Sequence, residues 1–145
     1  MIQTVKRSLA GVKKKDIILP AILLAVLILP RIAIYLAWGE GFVHTDTIGR
    51  YFPQAEMLSE SFSRFFSQTS LLYAAFLTVF GEDMVTGPVI IQHILGIITA
   101  LIVFFYFRRT SLALAFIVTV LVYTSVCAVT HEHSILREAF SSFFA

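Results

Sequence analysis

The sequence has few charges and almost no cysteine. Only 14% of its 145 residues are charged, and Cys127 is the single cysteine, which excludes an internal disulfide. The sequence also lacks a phosphate-binding glycine loop, the ligand spacing of a zinc site, low-complexity tracts and a fixed-period repeat. We predict no nucleic-acid partner and no resident cofactor.

Apolar residues dominate the composition. They make up 58% of the chain, phenylalanine alone occurs fourteen times, and the mean hydropathy is +0.86. A soluble domain is nearer half apolar and about a quarter charged, and a chain this short cannot hide so much apolar surface inside itself. The composition predicts an all-α, polytopic integral membrane protein whose first partner is membrane lipid.

Three apolar runs are long enough to cross a bilayer, which takes about 20 residues. They cover residues 17–38, 88–107 and 111–129, with an outer loop at 39–87. Basic residues precede the first run, and Arg108 and Arg109 follow the second. Because Lys and Arg flanking a span favour the cytoplasmic side, we expect a cytoplasmic N-terminus. The economy of the loops favours a bacterial inner membrane over the endoplasmic reticulum. A cleaved signal peptide is the rival interpretation, but the length of the first run and Arg31 within it argue against cleavage.

Three polar residues interrupt the apolar runs. Arg31 lies deep in the first run and should face protein, water or a lipid phosphate rather than hydrocarbon. Gln92 and His93 lie near the start of the second run, where we expect hydrogen bonds inside the bundle.

The outer loop has a helical pattern of its own. From residue 48 its apolar residues recur at helical spacing, namely Ile48, Phe52, Ala55, Leu58, Phe62, Phe65 and Phe66. This pattern predicts an amphipathic helix lying in the membrane interface, with Pro53 marking a break or a fresh helix start. The apolar segment 71–81 is too short to span and is typical of an interfacial or re-entrant helix.

Two polar clusters are expected on the same outer face. The first contains His44, Asp46, Arg50 and Tyr51, and the second contains His131, Glu132, His133, Arg137 and Glu138. A carboxylate there could act as general base towards an attacking hydroxyl, and Arg or His could hold a lipid-linked phosphate. Asp46 could equally be a solvated loop residue or a helix N-cap.

The His131-Glu132-His133 triplet also suggests a divalent metal. Alternate residues point the same way only on a strand, and a zinc site needs three protein ligands. A metal is therefore an unsupported alternative, and we predict no metal ligands.

The order of these segments resembles the N-terminal part of the GT-C superfamily of integral-membrane glycosyltransferases, of the protein mannosyltransferase and aminoarabinose transferase type. The similarity runs from Ile17 onwards and includes an acid, an aromatic and a small residue in the first outer loop, here Asp46, Tyr51 and Ala55. Residues 91–100, "IQHILGIITA", echo the family's second-span pattern, and Glu138 precedes a Phe-rich helix start. Relatives often carry two adjacent acids where Asp46 stands alone.

The resemblance implies a polyprenyl-phosphate sugar donor and transfer on the outer face of the membrane. Asp46 would be the general base or would orient the acceptor hydroxyl, and the sugar and the acceptor stay open. The residues that would contact donor or acceptor are Arg50, Tyr51, His131, Glu132, His133, Arg137 and Glu138. Because family members have more spans, and because "AFSSFFA" ends in mid-pattern, we expect an N-terminal fragment that is inactive by itself. The alternatives are a non-enzymatic three-span accessory or scaffold protein, and part of a transporter with Arg31 and His93 lining a polar path.

Overall fold

The computed structural model describes residues 14–61 and 71–135, and this part of the chain is helical. The α-helices are α1 (Lys14–Trp38), α2 (Phe52–Glu60), α3 (Leu71–Thr78), α4 (Thr86–Phe107), α5 (Leu112–Tyr123) and α6 (Val126–Glu132), and a π-helical turn (Thr47–Tyr51) leads directly into α2. Within the described ranges the only strand-like pairing is an isolated bridge between Phe42 and Ser134.

Two of these helices are long and apolar enough to cross a membrane, α1 over Ile18–Trp38 and α4 over Thr86–Phe107. The third predicted span is broken. Helices α5 and α6 together are long and apolar enough, but they meet at an angle of 57°. The protein is therefore an integral membrane protein with two clear candidate spans and a bent pair as the third.

The bend between α5 and α6 has a local cause in two hydroxyl residues. Thr124 closes α5, and its hydroxyl donates to the Val120 carbonyl at 2.7 Å. Ser125 has extended ψ and caps the next helix, because its hydroxyl accepts from the Ala128 N–H at 3.2 Å. Ser and Thr satisfy backbone groups that a continuous helix would otherwise pair, so they favour such an end and restart.

The bundle packs through residues four apart on α1 and α4. Leu23 and Leu27 meet Ala100 and Phe104, and Ala115 of α5 completes a fully buried set that we call the apolar bundle cluster. Arg31 continues the α1 row, and Gly96 continues the α4 row. The same faces thus change from apolar to polar contacts along their length.

The described residues of the predicted outer loop pack against one end of the bundle. Helix α2 begins with Pro53 in its first turn, which confirms the predicted fresh start. Residues Tyr51, Ala55, Tyr73, Leu77, Val89 and Ile135 bury their side chains together in what we call the loop cluster. The predicted amphipathic pattern continues through Phe62, Phe65 and Phe66, which lie outside the described residues.

Candidate functional site

The two predicted polar clusters meet where the chain leaves α1 and where it leaves α6. The Phe42 N–H donates to the His133 carbonyl at 2.9 Å, and the Ile135 N–H donates to the Phe42 carbonyl at 3.0 Å. The Thr47 hydroxyl donates to the Ile135 carbonyl at 2.7 Å, and His44 Nε2 lies 3.4 Å from the Ser134 hydroxyl. The expected meeting of the two segments is confirmed for residues 42–47 and 133–135.

Directly beneath this junction, Arg31 forms a two-pronged ion pair with Glu132. Arg31 Nε donates to Glu132 Oε2 at 2.7 Å, and Nη2 donates to Oε1 at 2.6 Å. The two side chains are 4% and 9% exposed. Parallel N–H···O bonds of this kind are the strongest geometry for an arginine and a carboxylate. Arg31 was predicted to face protein, water or a lipid phosphate, and the structure shows that it faces protein.

The remaining guanidinium nitrogen of Arg31 explains how the membrane tolerates the break between α5 and α6. Its Nη1 donates to the Leu27 carbonyl at 2.6 Å and to the Tyr123 carbonyl at 3.2 Å. Tyr123 is the last residue of α5, so its carbonyl has no partner within the helix. An unpaired backbone group is costly in a bilayer, and a cation is favourable at a helix C-terminus. Arg31 thus joins α1, α5 and α6 in one contact.

Two histidines extend the ion pair towards the junction of the two predicted polar clusters. His93 Nδ1 lies 3.0 Å from Glu132 Oε2, and His93 Nε2 lies 3.2 Å from His133 Nδ1. The two rings stack with an interplanar angle of 30°. We call Arg31, Glu132, His93 and His133 the charge network.

Gln92 secures the end of α6 from the neighbouring helix. Its amide nitrogen donates to the carbonyls of Glu132 at 2.9 Å and Ser134 at 2.8 Å. Its amide oxygen accepts from the Tyr73 hydroxyl at 3.0 Å. The predicted interior hydrogen bonds of Gln92 and His93 are confirmed, and those of Gln92 also link the charge network to the loop cluster.

A glycine makes room for the Glu132 carboxylate on α4. A Cβ atom at Gly96 would clash with Oε1, and it would lie only 2.9 Å from Oε2. Small residues let membrane helices approach closely. Gly96 therefore allows the carboxylate to lie against the α4 backbone between Arg31 and His93.

Asp46 lies at the exposed edge of the junction, at the head of the π-helical turn. It occupies the N-cap position, but its side chain makes no capping hydrogen bond. Arg50 lies four residues further on, with its guanidinium 5.9 Å from the centre of the Tyr51 ring. Tyr51 itself is 2% exposed and packs edge-to-face on Tyr73 at 5.1 Å. The Tyr51 ring thus forms part of the core. Its contact with a substrate stays a prediction.

The second cluster divides between surface and interior. His131 is exposed, whereas Glu132 and His133 are buried in the charge network. Arg137 and Glu138 lie outside the described residues. Across residues 14–61 and 71–135, no three His, Cys, Asp or Glu side chains are grouped closely enough to hold a metal ion.

Burial sets the electrostatics of His133. Its side chain has 0% exposure, and this burial lowers the pKa of the ring below its ordinary value. The neighbouring His93 lowers the pKa of His133 further, whereas the backbone of Glu40 raises it. His133 is therefore held mainly in the neutral form at neutral pH.

Comparisons with protein-family models, with characterised proteins and with solved structures find no match to this chain.

Sequence reasoning missed the pairing of Arg31 with Glu132, which are 101 residues apart. The available signal was the rule that an intramembrane arginine needs an acidic or backbone partner. Several acids of the outer face were candidates on that rule, and only the packing of α6 against α1 and α4 selects Glu132. The role of Gln92 at the end of α6 was missed for the same reason, because the helix break was not anticipated.

Proposed function

We propose that this chain is the N-terminal region of a membrane glycosyltransferase, which moves a sugar from a polyprenyl-phosphate donor to an acceptor on the outer face of the membrane. The observation that carries the proposal is the position of Asp46, an exposed carboxylate at the head of a π-helical turn. π-Helical turns are rare and occur frequently at functional sites. The order of motifs that resembles the GT-C superfamily gives independent support.

The surroundings of Asp46 suit a reaction that needs fixed geometry. The turn that follows it is anchored at both ends, by the buried Thr47 hydroxyl on Ile135 and by the buried Tyr51 ring on Tyr73. Catalytic groups on rigidly held elements keep the orientation that their chemistry requires. An exposed side chain on a turn with buried anchors combines access for substrate with a defined position.

The transfer step can be written with these residues. The acceptor oxygen attacks the anomeric carbon of the donor sugar, and the bond from that carbon to the phosphate oxygen breaks. The polyprenyl phosphate leaves with the bonding electrons, and Asp46 accepts the proton of the acceptor hydroxyl as general base. Arg50 and the exposed His131 are the groups proposed to hold the phosphate, since cationic donors stabilise the negative charge that develops on it.

The test is sugar transfer in membranes from cells that express the protein from its complete gene, with an undecaprenyl-phosphate-linked radiolabelled hexose as probe. Asp46→Asn should lower transfer at least about 100-fold, within the range for loss of a general base, while membrane insertion is unchanged. Arg50→Ala should raise the apparent KM for the donor. The matched control is Asp83→Asn, another exposed outer-loop acid, whose carboxylate accepts from the Thr86 N–H at 3.0 Å; asparagine keeps an acceptor there. Normal transfer by Asp46→Asn would remove the catalytic role of Asp46.

A second candidate is part of a transporter, and one observation favours it. Arg31 and His93 both contact the Glu132 carboxylate inside the bundle, and ionisable groups at such depth often mark a path for ions or substrate. The candidate ranks second because Arg31 and Glu132 are almost fully paired and buried, as expected for a contact that holds helices together. Uptake of a labelled solute that depends on Arg31 and is unaffected by Asp46→Asn would reverse this order.

A further inference from the structure

A groove between α4 and α5 lies outside both the charge network and the junction. It has a volume of about 280 Å³ and an apolar lining. Its floor is formed by two small residues one turn apart on α5, Ala115 and Thr119, which are 2% and 0% exposed. Its rim is formed by large apolar side chains that are exposed, namely Phe107 on α4 and Leu114 and Val118 on α5. Small buried residues beneath large exposed ones form an open channel, which we call the α4–α5 groove.

The α4–α5 groove lies at the other end of the bundle from Asp46. Val89, near the start of α4, packs in the loop cluster, whereas Phe107 is the last residue of the same helix. At 1.5 Å per residue, about 27 Å of helix separates these two residues. Because α4 is long and apolar enough to cross a membrane, the groove ends near the opposite membrane surface. It is therefore separate from the site proposed for sugar transfer.

A hydrocarbon chain suits both the lining and the direction of this groove. Val103 and Phe107 lie one turn apart on α4, as Ala115 and Thr119 do on α5, so the groove runs along the two helices. Helices that cross a bilayer are tilted by only about 20° from its normal, which is also the direction of the lipid tails. Water needs several polar partners to stay bound, and this lining offers few. An acyl chain can therefore lie lengthwise in the groove.

The mouth of the groove carries two cations. Thr110 lines the groove at the turn between α4 and α5, and it directly follows the exposed residues Arg108 and Arg109. The N-terminus of α5 lies at the same turn, since that helix begins at Leu112, and its dipole adds positive potential there. The sequence has no acidic residue between positions 83 and 132, so neither helix beside the groove offers a counter-ion. The charge at the mouth is complementary to an anion.

We propose that the α4–α5 groove binds one acyl chain of an anionic phospholipid, whose phosphate is held at the turn by Arg108 and Arg109. Guanidinium groups bind phosphate oxygens through paired N–H donors, and the free N–H groups at the start of α5 favour the same anion. A chain in the groove gains little over contact with other lipids. The headgroup therefore provides the affinity, and the groove fixes the position of the chain. This inference does not depend on the proposed sugar transfer.

The test is photo-cross-linking of the full chain in phosphatidylcholine nanodiscs, with a phosphatidylglycerol probe that carries a diazirine midway along one acyl chain. Peptide mass spectrometry identifies the labelled residues. Labelling should concentrate on Val103, Leu114 and Val118, and an excess of unlabelled phosphatidylglycerol should remove it. The internal controls are Ile102 and Ile117, which are exposed neighbours outside the groove lining. Their labelling should be weaker and should persist in the presence of the competitor.

The headgroup contact is tested by changing both arginines of the turn. Arg108→Gln combined with Arg109→Gln should weaken binding of the probe to the groove about 25-fold, since each basic residue near an anionic lipid contributes about fivefold. The matched control, Arg108→Lys combined with Arg109→Lys, keeps both charges and should retain most of the binding. Phosphatidylcholine with the same chains should compete less well than phosphatidylglycerol. Inorganic phosphate should not displace the probe, because it has no chain to occupy the groove.

Three results would overturn the proposal. Equal labelling of the groove residues and of Ile102 and Ile117, unaffected by the competitor, would show contact with bulk lipid only. Undiminished groove labelling in the double glutamine variant would remove the arginines as the headgroup site. Labelling at Ile102 and Ile117 alone would show that protein, rather than lipid, fills the groove.

Discussion

The apolar bundle cluster and the charge network lie on the same two helix faces and are held together by different forces. The first joins Leu23, Leu27, Ala100, Phe104 and Ala115 through close packing alone. The second joins α1 and α4 to α6 through ion-paired and hydrogen-bonded side chains. In a bilayer an apolar contact between helices gains little over contact with lipid, because lipid tails are equally apolar. We therefore expect the charge network to determine how the helices are arranged, while the apolar bundle cluster provides close packing between their surfaces.

The largest effect is expected from Glu132→Gln, which keeps the shape of the side chain and removes its charge. Arg31 would remain buried without a counter-ion, and breaking a buried pair in this way costs about 3–5 kcal/mol. The measurement is the free energy of unfolding in bicelles. His131→Gln on the same helix is the control, and because His131 is exposed it should change the stability by less than about 0.5 kcal/mol. If both variants lowered the free energy of unfolding equally, Glu132 would contribute no more to stability than an exposed residue.

The next effect is expected from Gly96→Ala, which tests the space that the carboxylate needs. The new methyl group would clash with Glu132, and overpacking of a filled interior costs about 1–3 kcal/mol. The control is Gly49→Ala, where a Cβ atom meets nothing within 4 Å. If Gly96→Ala were as stable as the wild type, the carboxylate would not lie against α4.

A smaller effect is expected from Leu27→Ala in the apolar bundle cluster. The substitution removes packing contacts and leaves a cavity. However, a leucine side chain is as stable against lipid tails as it is in the bundle, so its burial adds little to stability. We therefore expect about 1–2 kcal/mol, below the range for leucine in soluble cores. Leu24→Ala, three residues away and 38% exposed, is the control and should cost less. A loss for Leu27→Ala that exceeds the loss for Glu132→Gln would invert the comparison.

The smallest effect is the dependence of stability on pH, which we assign to His133 in the charge network. The pKa of His133 is lowered in the folded protein, so the unfolded chain binds the proton more readily. Stability is therefore complete above about pH 6.5, the ordinary value for histidine, and is lost as the pH falls from there through the lowered pKa. Unfolding followed between neutral and acidic pH should show this loss in wild type and in Leu27→Ala, and less of it in His133→Gln. An identical pH profile in His133→Gln would assign the dependence to another group.

Much of this arrangement could be predicted from sequence, because lipid restricts what polar residues can do. The inward direction of Arg31 and the interior hydrogen bonds of Gln92 and His93 follow from the cost of polar groups in hydrocarbon. The meeting of the segments after α1 and after α6 follows from the order of the helices along the chain. These features depend only on which side of a helix or membrane a residue must face.

The features that could not be predicted depend on single residues, whose effect is lost when hydropathy is averaged over a whole run. Thr124 and Ser125 end and restart a helix inside an apolar run, and their hydroxyls barely change its mean hydropathy. Without that break, Glu132 would not be directed back towards Arg31, and the Tyr123 carbonyl would not need a donor. The π-helical turn after Asp46 likewise has no sequence signature in this chain and depends on the anchors at Thr47 and Tyr51.

The most direct test of the central claim is a double-mutant cycle between Arg31→Leu and Glu132→Leu, measured as free energies of unfolding in bicelles. Each single variant leaves one buried charge without its partner, whereas the double variant leaves none. We predict that the double variant is more stable than the sum of the single losses implies, by about 2 kcal/mol or more, within the range for residues in direct contact. Additive losses, agreeing within about 0.5 kcal/mol, would show that Arg31 and Glu132 do not hold the bundle together.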